Sequence, residues 1–194
     1  TKEEIYSAMV VYGLLTYENG RVFIPNKELM GSYAAMMKKE KSLGYIYRLA
    51  NLSEQMLQAT LAGDTGTMTQ IIQYAHNTEV PILSYNNETE LSAIVNLVYL
   101  SARDRYRVER EDRAGKGYVD FIFYPLRADQ DGIILELKVN QTPDDAITQI
   151  KEREYALRFK GKLAEKTVHT GRILAVGIGY NKVTKEHACK VEEL

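Results

Sequence analysis

Three charges, Asp120, Glu136 and Lys138, interrupt two otherwise apolar runs, Tyr118 to Pro125 and Gly132 to Val139. Strand residues alternate faces, so Glu136 and Lys138 project from one side of such a run while Leu135, Leu137 and Val139 project from the other. If the two runs pair as neighbours, Asp120 comes close to that charged pair. Unpaired charges are costly to bury, so these groups need one another, a metal ion or both. Two chemistries fit: a structural ion pair on a sheet face, or a rim site that holds a divalent cation and an activated water. Local residue types leave both open.

The elements that must position these charges are legible around them. Pro81 marks the expected boundary between a mainly helical domain, residues 1–80, and a mixed domain, residues 81–194. From Asn87 an amphipathic helix is expected to about Arg103, with Leu91, Ile94, Val95, Val98 and Ala102 on one face. A strand over Tyr106 to Glu111 and a turn at Ala114 to Gly117 precede the two charged strands, and Gly115 and Gly117 permit that turn to be tight. Pro143 suits the first turn of a helix reaching about Phe159, and strands follow at Arg172 to Ile178 and near His187 to Val191. The order α-β-β-β-α-β-β predicts an α+β fold: an antiparallel meander joined to a later strand through a helix, with helices covering the sheet.

The first 80 residues read differently. Ile5, Met9, Tyr12 and Leu15 recur at helical spacing, and Asn19-Gly20 is a strong hairpin signal between short runs. A helix from Asn26 completes a helix, hairpin and helix that would suit a winged-helix-like module. Asn51 with Glu54, and Thr67 with Gln70, form capping boxes for helices expected to end at Gly63 and about His76.

Composition narrows the function classes. With 45% hydrophobic and 26% charged residues the chain reads as globular. Its net charge of -1 excludes nucleic-acid binding through global charge but leaves room for a local basic groove. Cys189 is the single cysteine, so neither an internal disulfide nor a thiolate zinc site is available, and the expected compartment is cytoplasmic. No apolar run approaches the ~20 residues of a membrane span. Thr1 in place of methionine fits a fragment of something longer. His76, His169 and His187 lack metal-ligand spacing, and Gly63 to Thr67 lacks the lysine of a P-loop. The mixed charges at Arg103 to Arg107 and Lys38 to Lys41 read as solvated helix ends and faces.

Asp120 followed by Glu136-Leu137-Lys138 has the D…E-x-K form of the PD-(D/E)XK nuclease superfamily. Asn87-Glu88, Gly115 to Asp120, Ile134 to Lys138, and Ala146 to Lys151 with Tyr155 resemble a bacterial branch in which the nuclease-like domain follows an AAA-ATPase-like domain. The resemblance covers roughly residues 82–192, and Tyr12 to Tyr17 with Val22 to Glu28 look like the segment linking the two domains. It implies a restriction-endonuclease-like core, a central mixed sheet flanked by helices.

The resemblance also implies chemistry. Asp120, Glu136 and the Leu137 carbonyl would bind Mg²⁺ or Mn²⁺, with Glu88 as a further carboxylate from the first core helix. Lys138 would position the attacking water or offset developing charge, and Gln149 would reach the site from the next helix. The Gln149-to-Tyr155 spacing is longer than the Q-x-x-x-Y of related nucleases, which sets Tyr155 apart. Lys116 and Lys151 would contact phosphate. The expected activity is hydrolysis of nucleic acid, DNA foremost, under the control of an N-terminal AAA-ATPase-like partner domain and without a membrane. The alternative is a nuclease fold retained as a non-catalytic nucleic-acid or protein interaction module.

Overall fold

In a computed structural model of the chain, the structure describes residues 1–39, 45–79, 88–114, 117–162 and 169–194. They form two compact units, Thr1–Asn51 and Leu52–Leu194.

The first unit contains α1 (Lys2–Val11), the strands β1 (Thr16–Glu18) and β2 (Arg21–Phe23), and α2 (Lys27–Lys39). Thr1 and Glu4 form a capping box at the start of α1. The hairpin turns at Asn19 and Gly20, both with positive φ, 51° and 79°. Those dihedral signs are what a two-residue turn needs to match strand twist, which explains the Asn-Gly pair. Asn26 caps α2 by accepting the Leu29 N–H at 2.8 Å.

The second unit takes in most of α3 (Tyr45–Ala62), then α4 (Thr65–Glu79), α5 (Glu88–Val98) and a 3-10 turn at Leu100–Asp104. Its sheet has five strands: β3 (Tyr106–Ala114), β4 (Gly117–Pro125), β5 (Gly132–Val139), β6 (Ile173–Asn181) and β7 (Glu186–Glu193), in that spatial order. All neighbours are antiparallel except β5 and β6, which run parallel and are joined through α6 (Pro143–Glu152) and α7 (Leu157–Lys162). This is the mixed α+β architecture of a restriction-endonuclease-like core, with helices on both faces.

Two apolar clusters sit on the two faces. On one, Phe121, Phe123, Leu135, Leu137, Val176 and Ile178 meet Met56, Leu57, Met68, Ile72, Leu91 and Ile94 from the first helices. On the other, Ile122, Tyr124, Ile134 and Ala175 meet Ile147, Ile150, Tyr155 and Phe159. Glu136 and Lys138 share the parity of Ile134, so strand alternation directs them to the α6 face. α6 can lie close on the sheet because β6 is bare beneath it. A Cβ added to Gly177 would stand 2.3 Å from the Pro143 carbonyl oxygen and 3.1 Å from the Ala146 Cβ.

Several helix limits differ from those the sequence suggests. Asn51 lies inside α3, not at its start, because neither glycine nor proline interrupts Tyr45 to Ala50; Gly63, at φ 71°, follows the end of that helix. The cap of α4 is Asp64, whose carboxylate accepts the Thr67 N–H at 3.0 Å and hydroxyl at 2.6 Å, so Thr67 and Gln70 do not form its box. The helix from Pro143 breaks after Glu152: Glu154 adopts φ 56°, which turns Tyr155 into the core before α7 begins. The Pro81 boundary lies outside the described residues, while α3 and α4 contribute Met56, Leu57, Met68 and Ile72 to the core under the sheet.

Candidate active site

The ladder between β4 and β5 carries regular pairs at Phe121–Leu135, Ile122–Ile134 and Phe123–Ile133, and Asp120 and Glu136 stand at the next rung. There the Asp120 carboxylate replaces the β4 backbone as the partner of β5. Its Oδ2 accepts the Leu137 N–H at 2.8 Å. A strand residue presents its N–H and C=O to the same neighbour, so the Leu137 carbonyl faces the same gap as Asp120. Its side chain packs in the core on the far face, which fixes that orientation.

Glu136 is buried, with its carboxylate shared unequally. Oε1 accepts from Lys138 Nζ at 3.2 Å and from the Gln149 amide. Oε2 is buried and has no hydrogen-bond partner among the described residues. Lys138 Nζ also donates to Gln149 Oε1 at 2.8 Å, closing a triangle of Glu136, Lys138 and Gln149. Burial, reinforced by the nearby Asp120 charge and opposed by Lys138, pushes the Glu136 carboxyl up to about 7. A buried carboxylate oxygen with nothing to accept is costly unless a cation or the carboxyl's own proton belongs there.

Gln149 reaches the site because Ala146, Ile147 and Ile150 of α6 are buried on the sheet, which turns position 149 toward β5. Its amide also lies 3.5 Å from the hydroxyl of buried Tyr155. The break at Glu154 brings Tyr155 there in spite of its long sequence spacing from Gln149. A helix-continuing reading of residues 143–159 hides that contact. A positive φ at a glutamate leaves no composition signal.

Of the other expected site residues, Glu88 and Lys151 are among the described residues and Lys116 is not. Glu88 is the half-buried first residue of α5, which packs against β5, with its apolar residues in the core on the face opposite α6. No hydrogen bond or ion pair among the described residues joins it to Asp120 or Glu136. Lys151 is exposed and pairs with Glu192 at 2.5 Å. Lys116 lies outside the described residues.

The donor set suits a hard cation. Asp120 stands beside Glu136 and accepts the Leu137 N–H, and no group of three His, Cys, Asp or Glu side chains forms a metal cluster among the described residues. So sparse a set, all oxygen, fits an ion such as Mg²⁺ that keeps several of its own waters. No described helix is long and apolar enough to cross a membrane. Comparison with curated proteins gives no match. A family model described as the PD-(D/E)XK nuclease superfamily matches residues 86–184, just over half of the chain.

Proposed function

The chain belongs to the PD-(D/E)XK nuclease superfamily, and from that premise we propose that it hydrolyses phosphodiester bonds of nucleic acid, DNA foremost, with Mg²⁺ or Mn²⁺. The observation that carries the reading is the division of labour on Glu136: Oε1 is held by Lys138 and Gln149, while Oε2 is buried without a partner among the described residues.

Asp120, Glu136 Oε2 and the Leu137 carbonyl would hold the ion, which supplies Lewis acidity toward a scissile phosphate and a more acidic bound water. Lys138 holds its ammonium beside that position and offsets negative charge as it develops on the phosphoryl oxygens. Gln149 keeps the lysine in place through its own carbonyl oxygen and holds the shared Glu136 oxygen through its amide. Tyr155 backs the Gln149 amide from the core. Residues 1–80 would link this domain to an AAA-ATPase-like partner that governs its access to substrate.

The test is cleavage of labelled DNA and RNA by purified protein with Mg²⁺ or Mn²⁺, against EDTA and the variants Asp120→Ala, Glu136→Ala and Lys138→Ala. Metal-dependent cleavage lost in all three supports the assignment. Cleavage that survives in them marks a contaminant and ends it.

A further inference from the structure

Glu136, Gly177 and Lys190 form one rung across β5, β6 and β7, and Ile134, Ala175 and Glu192 form the next rung on the same face. Beneath α6 the middle strand is nearly bare. A Cβ added to Gly179 would stand 3.0 Å from the Gln141 carbonyl oxygen, so the chain entering α6 rests on β6, as its first turn does at Gly177. Two strand spacings are about 10 Å, close to the width of a helix. α6 therefore lies on β6 with one flank over β5 and the other over β7.

Helical spacing assigns side chains to those flanks. At ~100° per residue, Asp144 and Lys151 fall on one stripe, and Gln149 lies about 140° round from it. Buried Ala146, Ile147 and Ile150 point down between the two. The β5 flank is tied by Gln149 to Glu136 and Lys138. The β7 flank is tied by ion pairs. Lys190 Nζ lies 2.5 Å from Asp144 Oδ1 and 2.8 Å from Glu192 Oε1, and Lys151 Nζ lies 2.5 Å from Glu192 Oε2. Cys189 and Val191 pack on the core of the opposite face, which turns Lys190 and Glu192 toward α6. Two cations and two carboxylates thus form a neutral chain from the first turn of α6 to its last. A single exposed ion pair contributes little, but here Lys190 and Glu192 each serve two partners. Glycine offers no ridge to interlock with a helix, so the bed under the start of α6 sets its height better than its roll. Gln149 holds one flank and the ion pairs hold the other.

We propose that the chain Asp144, Lys190, Glu192 and Lys151 is a clamp that sets the roll of α6, and that Lys190 and Glu192 are positioning residues for Gln149. Its effect on cleavage rests on the nuclease reading of Asp120, Glu136 and Lys138; the clamp itself does not. Lys151 belongs to the clamp, in place of the phosphate contact that the sequence suggests.

Backbone hydrogen exchange of α6 in the full chain, in EDTA and without DNA, reads the clamp directly. Glu192→Gln keeps the shape of the side chain, and Lys190→Met keeps its stem. Each is expected to raise α6 exchange about 5-fold at low salt, the size of one or two exposed ion pairs. The difference should vanish in 1 M salt, where charges are screened within about 3 Å. Lys190→Arg should behave as the wild type. In cleavage of labelled DNA with Mg²⁺, both variants should lower kcat by up to about 5-fold. They change the net charge in opposite directions, so a charge effect on DNA binding would move them apart. In a Gln149→Ala background neither should lower kcat further. Unchanged α6 exchange, or opposite effects of the two variants on kcat, overturns the clamp. Faster exchange with unchanged kcat, or a further loss in Gln149→Ala, overturns the positioning of Gln149. A wild type that neither cleaves nor binds Mn²⁺ overturns the nuclease reading instead, and the exchange comparison still decides the clamp.

Discussion

Lys138 and Gln149 converge on the same oxygen of Glu136, so the roles of the three side chains separate under substitution. Glu136→Gln removes the buried charge while keeping the shape. Since an isosteric neutral group avoids the desolvation cost, the fold should survive it. The carboxylate oxygen proposed to face a cation is then gone. Mn²⁺ at about 100 times its Kd stabilises the folded state by about 2.7 kcal/mol. That gain, read as a rise in melting temperature, should be present in the wild type and lost in Glu136→Gln. Lys138→Met should behave in the opposite way. It keeps the carboxylates and hence the Mn²⁺-dependent rise, but cleavage should drop about 10²–10³-fold, the size of one lost electrostatic donor in a water-poor site. If Lys138→Met loses metal binding and activity together, the lysine is structural. The charged triplet was visible in the sequence because three polar residues stand out in two apolar strands. The cation expectation came with the family resemblance; what was not legible is the gap between β4 and β5, where the Asp120 side chain replaces a ladder bond, since no residue pattern encodes where a ladder stops.

At the scale of elements, α6 is the arm that delivers Gln149, and its seat is the bare surface of β6. Gly177→Ala would place a methyl 2.3 Å from the Pro143 carbonyl oxygen, a backbone atom that cannot swing aside. The helix must lift, at a cost of about 1–3 kcal/mol for overpacking. Gln149 moves with it, so activity should fall more than stability. Equal losses would mean that α6 does not position the site. A second element contact is sensitive to pH. α4 is fastened to β7 by His187, whose backbone N–H and Nδ1 meet Gln73 Oε1 at 3.3 Å and 2.8 Å, and whose ring lies 5.2 Å from that of His76. Burial, with His76 alongside, pulls the His187 imidazole down to about 4. His76 is lowered too, by burial and then by Lys185, and Tyr180 is the remaining ring of the cluster. The unfolded chain therefore takes up the proton first as pH falls. This part of the stability is complete above about pH 7 and is lost on the way down to pH 4, about 2 kcal/mol of it by pH 5. Urea unfolding at pH 7.5 and 5.0 should show that loss, and His187→Gln should reduce it. An equal loss in the variant would place the effect elsewhere. The central strands and the Asn19-Gly20 turn were readable because continuous apolar runs buried on both faces and positive φ leave residue signatures. The starts of α3 and α4 were not, although Asn26 and Pro143 marked those of α2 and α6. Asn51-Glu54 and Thr67-Gln70 have capping chemistry, but core packing of Met56, Leu57 and Met68, together with Asp64, decides where α3 and α4 run.

For the whole molecule, the two compact units differ in how they are stabilised. No residue of Thr1–Asn51 whose burial is described is buried, while Ile5 is 62%, Tyr12 79% and Tyr17 63% exposed. Ordering a residue costs about 1–2 kcal/mol of backbone entropy, which only burial on a larger scale offsets. The α1 helix has its cap and the hairpin its turn, yet such local devices contribute about 1 kcal/mol each. Leu52–Leu194, by contrast, holds two apolar clusters, one on each face of its sheet. Cut at the start of α3, residues 45–194 should retain a single cooperative thermal transition within a few degrees of that of the full chain. Residues 1–44 alone should show no such transition and rapid amide exchange throughout. A cooperative transition in the short piece would mean that a core forms there among side chains now exposed. A large drop in melting temperature for residues 45–194 would mean that the first unit carries stability its burial does not account for. The site chemistry should follow the larger piece: the bonds that join Asp120 to Leu137 and Lys138 to Glu136 and Gln149 lie within Leu52–Leu194, so Mn²⁺ binding should be retained by residues 45–194.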